Sequence, residues 1–132
     1  MNIGWVSASP YASTGYGTQT REIVSRLKKR YNVVCIGQVG NVIVWGGRQT
    51  LHTRYGDIPI LALGDVSSAA DVINRSYIPE FNLDVIVGFM DAFGLEYLNK
   101  VKVPVIGYIP IDGPFTPPWK NYVKNYYKVV AY

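Results

Sequence analysis

Short runs rich in valine and isoleucine recur along the chain at Ile3 to Val6, Val33 to Ile36, Val42 to Trp45, Ile58 to Leu63, Val85 to Val87, Val103 to Ile109 and Val129 to Ala131. Their spacing limits the fold more than any other feature. Several are continuous rather than alternating, which is the pattern of strands buried on both faces of a parallel sheet. Between them lie helical stretches. Residues 18 to 31 set Thr20, Ile23, Val24, Leu27 and Tyr31 on one face, with Arg21, Arg26, Lys28 and Lys29 outside. Further helices are predicted over Ser67 to Tyr77, stopped by Pro79, over Phe93 to Val101, and over Pro118 to Tyr127. Strand and helix alternate. The expected class is therefore α/β: a Rossmann-like, mainly parallel sheet flanked by helices and joined by right-handed crossovers.

Residues 38 to 64 break the alternation, because Gly40, Gly46-Gly47 and Gly56-Asp57 punctuate strand-like pieces with no room for a helix. A β-hairpin excursion is expected there. A length of 132 residues suits one domain spanning 1–132. Apolar residues at 48% against 17% charged exclude a disordered chain. The last strand, Lys128 to Tyr132, has nothing after it to cover the sheet, so a domain truncated at its C-terminal end is expected.

The net charge of +4 is concentrated at the two ends. Arg21, Arg26, Lys28, Lys29 and Arg30 stand against Glu22 near the start, and Lys120, Lys124 and Lys128 meet no acid near the finish. Lys28-Lys-Arg30 reads as a solvated helix C-terminus favoured by the helix dipole. The single cysteine, Cys35, rules out a disulfide framework and fits a buried core thiol. No secretory leader and no run of bilayer length stand in the sequence, so a cytoplasmic protein is expected. Asn74-Arg-Ser76 is then a chance match to a glycosylation sequon.

The stretch Ser7 to Glu22, "SASPYASTGYGTQTRE", lies between the first strand and first helix, where an open α/β sheet forms its ligand crevice. Gly15 and Gly17 let the backbone approach a phosphate at the helix N-terminus, and Ser13, Thr14 and Thr18 add hydroxyls. A diphosphate cradle and a tight turn both satisfy this segment. Gly15-Tyr-Gly17-Thr-Gln-Thr20 lacks the third glycine of the dinucleotide fingerprint, and Gln38 stands after the second strand instead of a ribose-binding acid, which disfavours NAD. The phosphate loop of ATPases is absent too.

Two acids follow strands, Asp91 and Asp112. Either suits hydrogen bonding to sugar hydroxyls, and Asp112 suits a base or substrate clamp. The alternative for Asp91 is a helix cap, and for Asp112 with Gly113 a turn. The one histidine, His52, finds no nucleophile set around it and reads as a surface residue. No metal-ligand spacing occurs. From Pro114 to Lys128, Lys120, Lys124 and Lys128 form one helical stripe, and Trp119, Tyr122, Val123 and Tyr126 another. Such a helix can rest on an anionic membrane through Trp119, Lys120, Lys124 and Lys128, or simply be solvated on its charged side. No nucleic-acid-binding signature accompanies the charge.

The opening segment "MNIGWVSASPYASTGYGTQTREIVSRLKKRYNVVCIG", with "LDVIVGFMDAFG" and "VPVIGYIPIDGPFTPPWKNYVKNYYKVVAY", resembles the N-terminal domain of group 1 (GT4-like) glycosyltransferases of the GT-B fold. The resemblance implies the acceptor-side half of a retaining, metal-independent enzyme that transfers sugar from a nucleotide-sugar donor to a carbohydrate, lipid-linked or protein acceptor. It implies no other cofactor, and inactivity of this domain without its donor-binding partner domain. On this resemblance Gly15 and Gly17 approach the donor diphosphate. Asp112 is the catalytic position, with Gly113 beside it, and Asp91 stands where other members often carry a histidine. A location at the inner membrane face is compatible with such an enzyme. The other class left open is a stand-alone module that uses the same crevice for a nucleotide, sugar or protein partner. Gly17→Val is expected to abolish diphosphate binding with the fold intact.

Overall fold

Strand β1 (Asn2–Ser7) runs through the middle of the sheet and is buried from Ile3 onward. The computed structural model describes residues 1–37, 48–111 and 118–132. After β1 come helix α1 (Gly15–Leu27), β2 (Asn32–Gly37), β3 (Gln49–Thr53) and β4 (Gly56–Ala62). A helical passage follows through α2 (Ala69–Val72) and α3 (Ile78–Phe81), then β5 (Val85–Gly88), 3-10 turns over Ala92–Lys100, β6 (Val105–Ile109), α4 (Pro118–Tyr122) and β7 (Lys128–Ala131). The strands form one sheet in the order β3-β4-β2-β1-β5-β6-β7. Every pairing is parallel except β3 with β4. The fold is thus the expected Rossmann-like α/β sheet with a hairpin excursion.

The crossovers put α1 on one face, where Val24 packs with Trp5, Val33, Cys35, Ile58, Ile60 and Phe89. The remaining helices cover the other face, where Ile73, Ala92, Leu95 and Leu98 pack with Val6, Ile36, Leu61, Ile86 and Ile109. Because β1, β2 and β5 have neighbours on both faces, their apolar runs are continuous. Strand β7 is the edge, and all four of its residues are exposed.

Four local expectations change. Pro79 does not stop the helix: it sits in the first turn of α3, where a missing N–H is tolerated, and the chain before it widens to a π turn over Ile73–Tyr77. Asn82, in the left-handed region at φ 48°, ends the passage. The segment after β5 winds as 3-10 rather than α because its buried residues Ala92, Leu95 and Leu98 recur every third position, the period of that tighter helix. Helix α4 stops at Tyr122, since Asn99 donates to the Tyr122 carbonyl at 2.8 Å and accepts from the N–H of Asn125 at 2.9 Å. Strand β3 buries only Leu51, so it had no apolar run to announce it. The expected strand Val42 to Trp45 lies outside the described residues.

Asn74 is tied to the chain around Lys100 and Lys102. Its side chain donates to the Lys100 carbonyl at 2.9 Å and accepts from the Lys102 N–H at 2.8 Å, which gives the sequon asparagine a structural task. No described helix is long and apolar enough to cross a membrane. The aromatic stripe of the last helical segment faces inward: Trp119, Tyr122, Val123 and Tyr126 pack against the core. Lys120, Lys124 and Lys128 remain exposed, and so does Tyr127 beside them.

Candidate functional site at the switch point

The chain leaves β1 toward β2 on one side and returns from β4 to β5 on the other, so the sheet order reverses between β1 and β5. Open α/β sheets form a crevice beyond the carboxyl ends of strands at such a reversal. Two hydrogen bonds close the base of this crevice. The Phe89 N–H donates to the Val6 carbonyl at 2.9 Å, and the Ser7 hydroxyl donates to the Phe89 carbonyl at 2.7 Å. Ser7 is buried, and its hydroxyl satisfies a carbonyl that the sheet has left behind.

The N-terminus of α1 stands over one side of the crevice. Thr14 is its N-cap: in extended conformation, its hydroxyl accepts from the Gly17 N–H at 3.0 Å. Thr14 therefore serves the helix first. Gly15 begins the helix, is exposed, and a Cβ there would meet nothing within 4 Å. Its N–H has no helical carbonyl to reach and lies at the positive end of the dipole. Ser13 and Thr18 are exposed beside it.

Gly17 behaves differently. A Cβ there would lie 2.3 Å from the Ala12 carbonyl oxygen and 2.8 Å from that of Ser9. It is buried against the loop leading into α1, so its role is close backbone packing. The expectation that Gly17→Val would spare the fold is corrected, because a side chain there collides with backbone that has no room to yield.

Asp91 lies just past β5. Although the 3-10 segment starts directly after it, its side chain makes no cap hydrogen bond. The carboxylate instead accepts from the Tyr16 hydroxyl across the crevice at 2.9 Å. Tyr16 also packs edge-on against the buried Phe89, with centroids 5.2 Å apart at 80°. The same Phe89 meets Trp5, Tyr108 and Tyr132. Tyr108 and Tyr132 stack at 4.5 Å and 25°. Gly15, Tyr16, Gln19, Pro110 and Tyr132 line a shallow pocket of about 370 Å³ beside the helix end.

The structure thus brings together Thr14, Gly15 and Asp91 from the expected site. Asp112 and Gly113 lie outside the described residues. Tyr16, Gln19, Pro110 and Tyr132 had no motif to mark them, and their relation comes from the sheet order alone. His52 pairs with Asp57 at 2.8 Å on the exposed hairpin, at the opposite edge of the sheet. Among the described residues no three histidine, cysteine or acidic side chains gather for a metal. Cys35 is a core thiol whose pKa burial pushes up to about 12.

Sheet order and crevice define a Rossmann-like α/β domain with a switch-point site. No family model matches this chain, and no curated protein matches it. Among solved structures it is similar to the crystal structure of Sure protein from Aquifex aeolicus, at 10% identity and a TM-score of 0.40. That alignment covers 93% of this chain and 55% of the other.

The expected membership in the GT-B, group 1 glycosyltransferases is corrected: no family model and no curated protein supports it, and the solved structure just described is a different protein. The expected sugar-transferring function falls with it. The physical source of the error is the Gly-x-Gly pair, which looked like a donor cradle, whereas Gly17 is required by the packing of the loop on α1.

Proposed function

We propose that this domain binds a small ligand carrying both a phosphate and free hydroxyls, at the carboxyl edge between β1, β5 and the start of α1. The observation that carries the reading is the placement of Asp91. Its carboxylate forgoes the helix cap its position offers and is held across the crevice by Tyr16. A partly buried carboxylate so fixed is a ready acceptor for hydroxyl groups. The exposed first turn of α1, with Gly15 and the hydroxyls of Ser13 and Thr18 beside it, favours an anion. The Tyr16 ring separates the two, so phosphate and hydroxyls address different ends of one ligand.

Calorimetric titration with pyrophosphate and with ribose 5-phosphate tests this. Gly15→Leu, which enters open space, should keep the fold and lose both ligands. Asp91→Asn should weaken ribose 5-phosphate and leave pyrophosphate unaffected. Wild-type affinity in Gly15→Leu would end the assignment.

A further inference from the structure

We propose that a second surface, at the opposite edge of the sheet from the crevice, binds the phosphate backbone of duplex nucleic acid. It is built from the end of α1 and the turn that joins β3 to β4, and it shares no residue with the crevice. Helix α1 runs back against the strands and ends just before Asn32 opens β2, and Gly56 opens β4 at that same edge. The turn therefore lies against the end of the helix.

Arg26, Lys28, Lys29 and Arg30 are joined there by Arg54 from the turn. Lys28 lays its stem along Gly56, with Cε 3.4 Å from where a Cβ would stand. The Lys29 ammonium and the Arg54 guanidinium lie over the Tyr55 ring, 5.9 and 4.6 Å from its centroid. Arg26 and Arg54 both line a hollow of about 380 Å³, with Glu22, Ser25, Thr53 and Tyr55. The turn is set in advance: the Thr53 hydroxyl donates to the Gly56 carbonyl at 2.7 Å and accepts from the Tyr55 N–H at 3.1 Å.

The five cations stand against one acid, Glu22, whose carboxylate reaches Arg26 only at 3.9 Å with both side chains exposed. Asp57 points to the other face of the sheet from its neighbour Ile58 and pairs with His52 at 2.8 Å. The surplus at this surface equals the whole net charge of +4, so the rest of the chain balances. A positive surplus gathered on one surface is the electrostatic footprint of contact with a nucleic-acid backbone.

The side chains select among polyanions. Guanidinium forks match phosphate oxygens. No large apolar side chain at the end of α1 or in the turn is exposed, so the surface lacks the anchor of a membrane face or of a protein interface core. Tyr55 is half-buried under Arg54 and offers no open platform for the stacked bases of a single strand. Charge alone then suits the rigid phosphate rows of a duplex. Backbone contact carries no sequence information, which is why no recognition motif accompanies it.

Fluorescence anisotropy of the whole chain with a labelled DNA duplex of about 20 base pairs tests this. Between about 50 and 200 mM KCl, binding should weaken about a hundredfold, the salt dependence of about four neutralised phosphates. Arg26→Gln with Arg54→Gln should lower the slope of log affinity against log salt by about 2, and Lys29→Gln alone by about 1. Circular dichroism checks that each variant is folded, and the single lysine variant carries the test if the arginine pair is not. Lys120→Gln with Lys124→Gln, beside β7 at the far end of the sheet, should leave the slope unchanged. An equal loss in that lysine pair, or wild-type binding in the folded arginine pair and in Lys29→Gln, would overturn the assignment to this surface. Tighter binding of the single strand, of polyglutamate or of phosphatidylserine vesicles would overturn the duplex as partner. No binding of the duplex at the lower salt would overturn the proposal outright.

Discussion

The phenol of Tyr16 donates a 2.9 Å hydrogen bond to the carboxylate of Asp91, 75 residues further along the chain. It joins the first turn of α1 to the end of β5 and so spans the reversal in sheet order. Tyr16→Phe keeps the edge-on contact with Phe89 and deletes this bond. Denaturant unfolding should show a loss of about 1 kcal/mol, and ribose 5-phosphate should bind more weakly as Asp91 loses its fixed orientation. Unchanged affinity would show that the carboxylate does not contact the ligand.

The two glycines in the first turn of α1 should respond in opposite ways. Gly17→Ala drives a Cβ to within 2.3 Å of the Ala12 carbonyl, so unfolding free energy should fall by about 2 kcal/mol or more. Gly15→Ala meets open space in a helical conformation, and stability should hold or rise by up to about 1 kcal/mol. Urea unfolding of the pair, run side by side, is the measurement. Similar losses in both would contradict the packing role assigned to Gly17.

Ser7→Ala should destabilise by about 1–3 kcal/mol, because it leaves the Phe89 carbonyl without the donor that satisfies it inside the protein. Hydrogen exchange should then speed up at the Phe89 amide, which donates to Val6, ahead of amides elsewhere in β5. Uniform exchange across the strand would argue against a local closure at this point.

Burial raises the Cys35 thiol from 9.0 to about 12 in the folded chain. The sign follows directly. The native state holds this proton to higher pH than the unfolded state, so the associated stability is whole below pH 9 and is lost as pH climbs from about 9 toward 12. Burial also raises Tyr77, Tyr97 and Tyr126, so alkaline unfolding should set in steeply. Cys35→Val should flatten part of that slope in a series of unfolding curves. At neutral pH a thiol reagent should label Cys35 only after denaturant is added.

The continuous apolar runs at Ile3 to Val6, Val33 to Ile36 and Val85 to Val87 announced a parallel sheet because the physics that buries both faces acts residue by residue. The helix after β1 was legible for the same reason, through the spacing of Thr20, Val24 and Leu27. Strand β3 was not, since an edge strand with one buried residue leaves almost no pattern. Nor was the widened turn before Pro79, which depends on packing around Ile73 and not on any local preference. At the site, Gly15 and Asp91, read from the sequence as binding residues, both stand beside the crevice, while Gly17 carried the same local signal as Gly15 and is buried against the loop before α1.

What the sequence determined by itself is the class of fold and the edge of the sheet where the loops gather, because periodicity and turn chemistry are local properties of the chain. The tertiary structure alone decided which side chains meet there. Tyr16 reaches Asp91, and Tyr132 stacks on Tyr108, because β5 and β6 follow β1 on one side of the sheet, and no stretch of residues records which strands become neighbours. The same separation explains the overturned resemblance. A Gly-x-Gly pair states only that the backbone needs room, and the surrounding loop decides whether that room is for a ligand or for its own carbonyls.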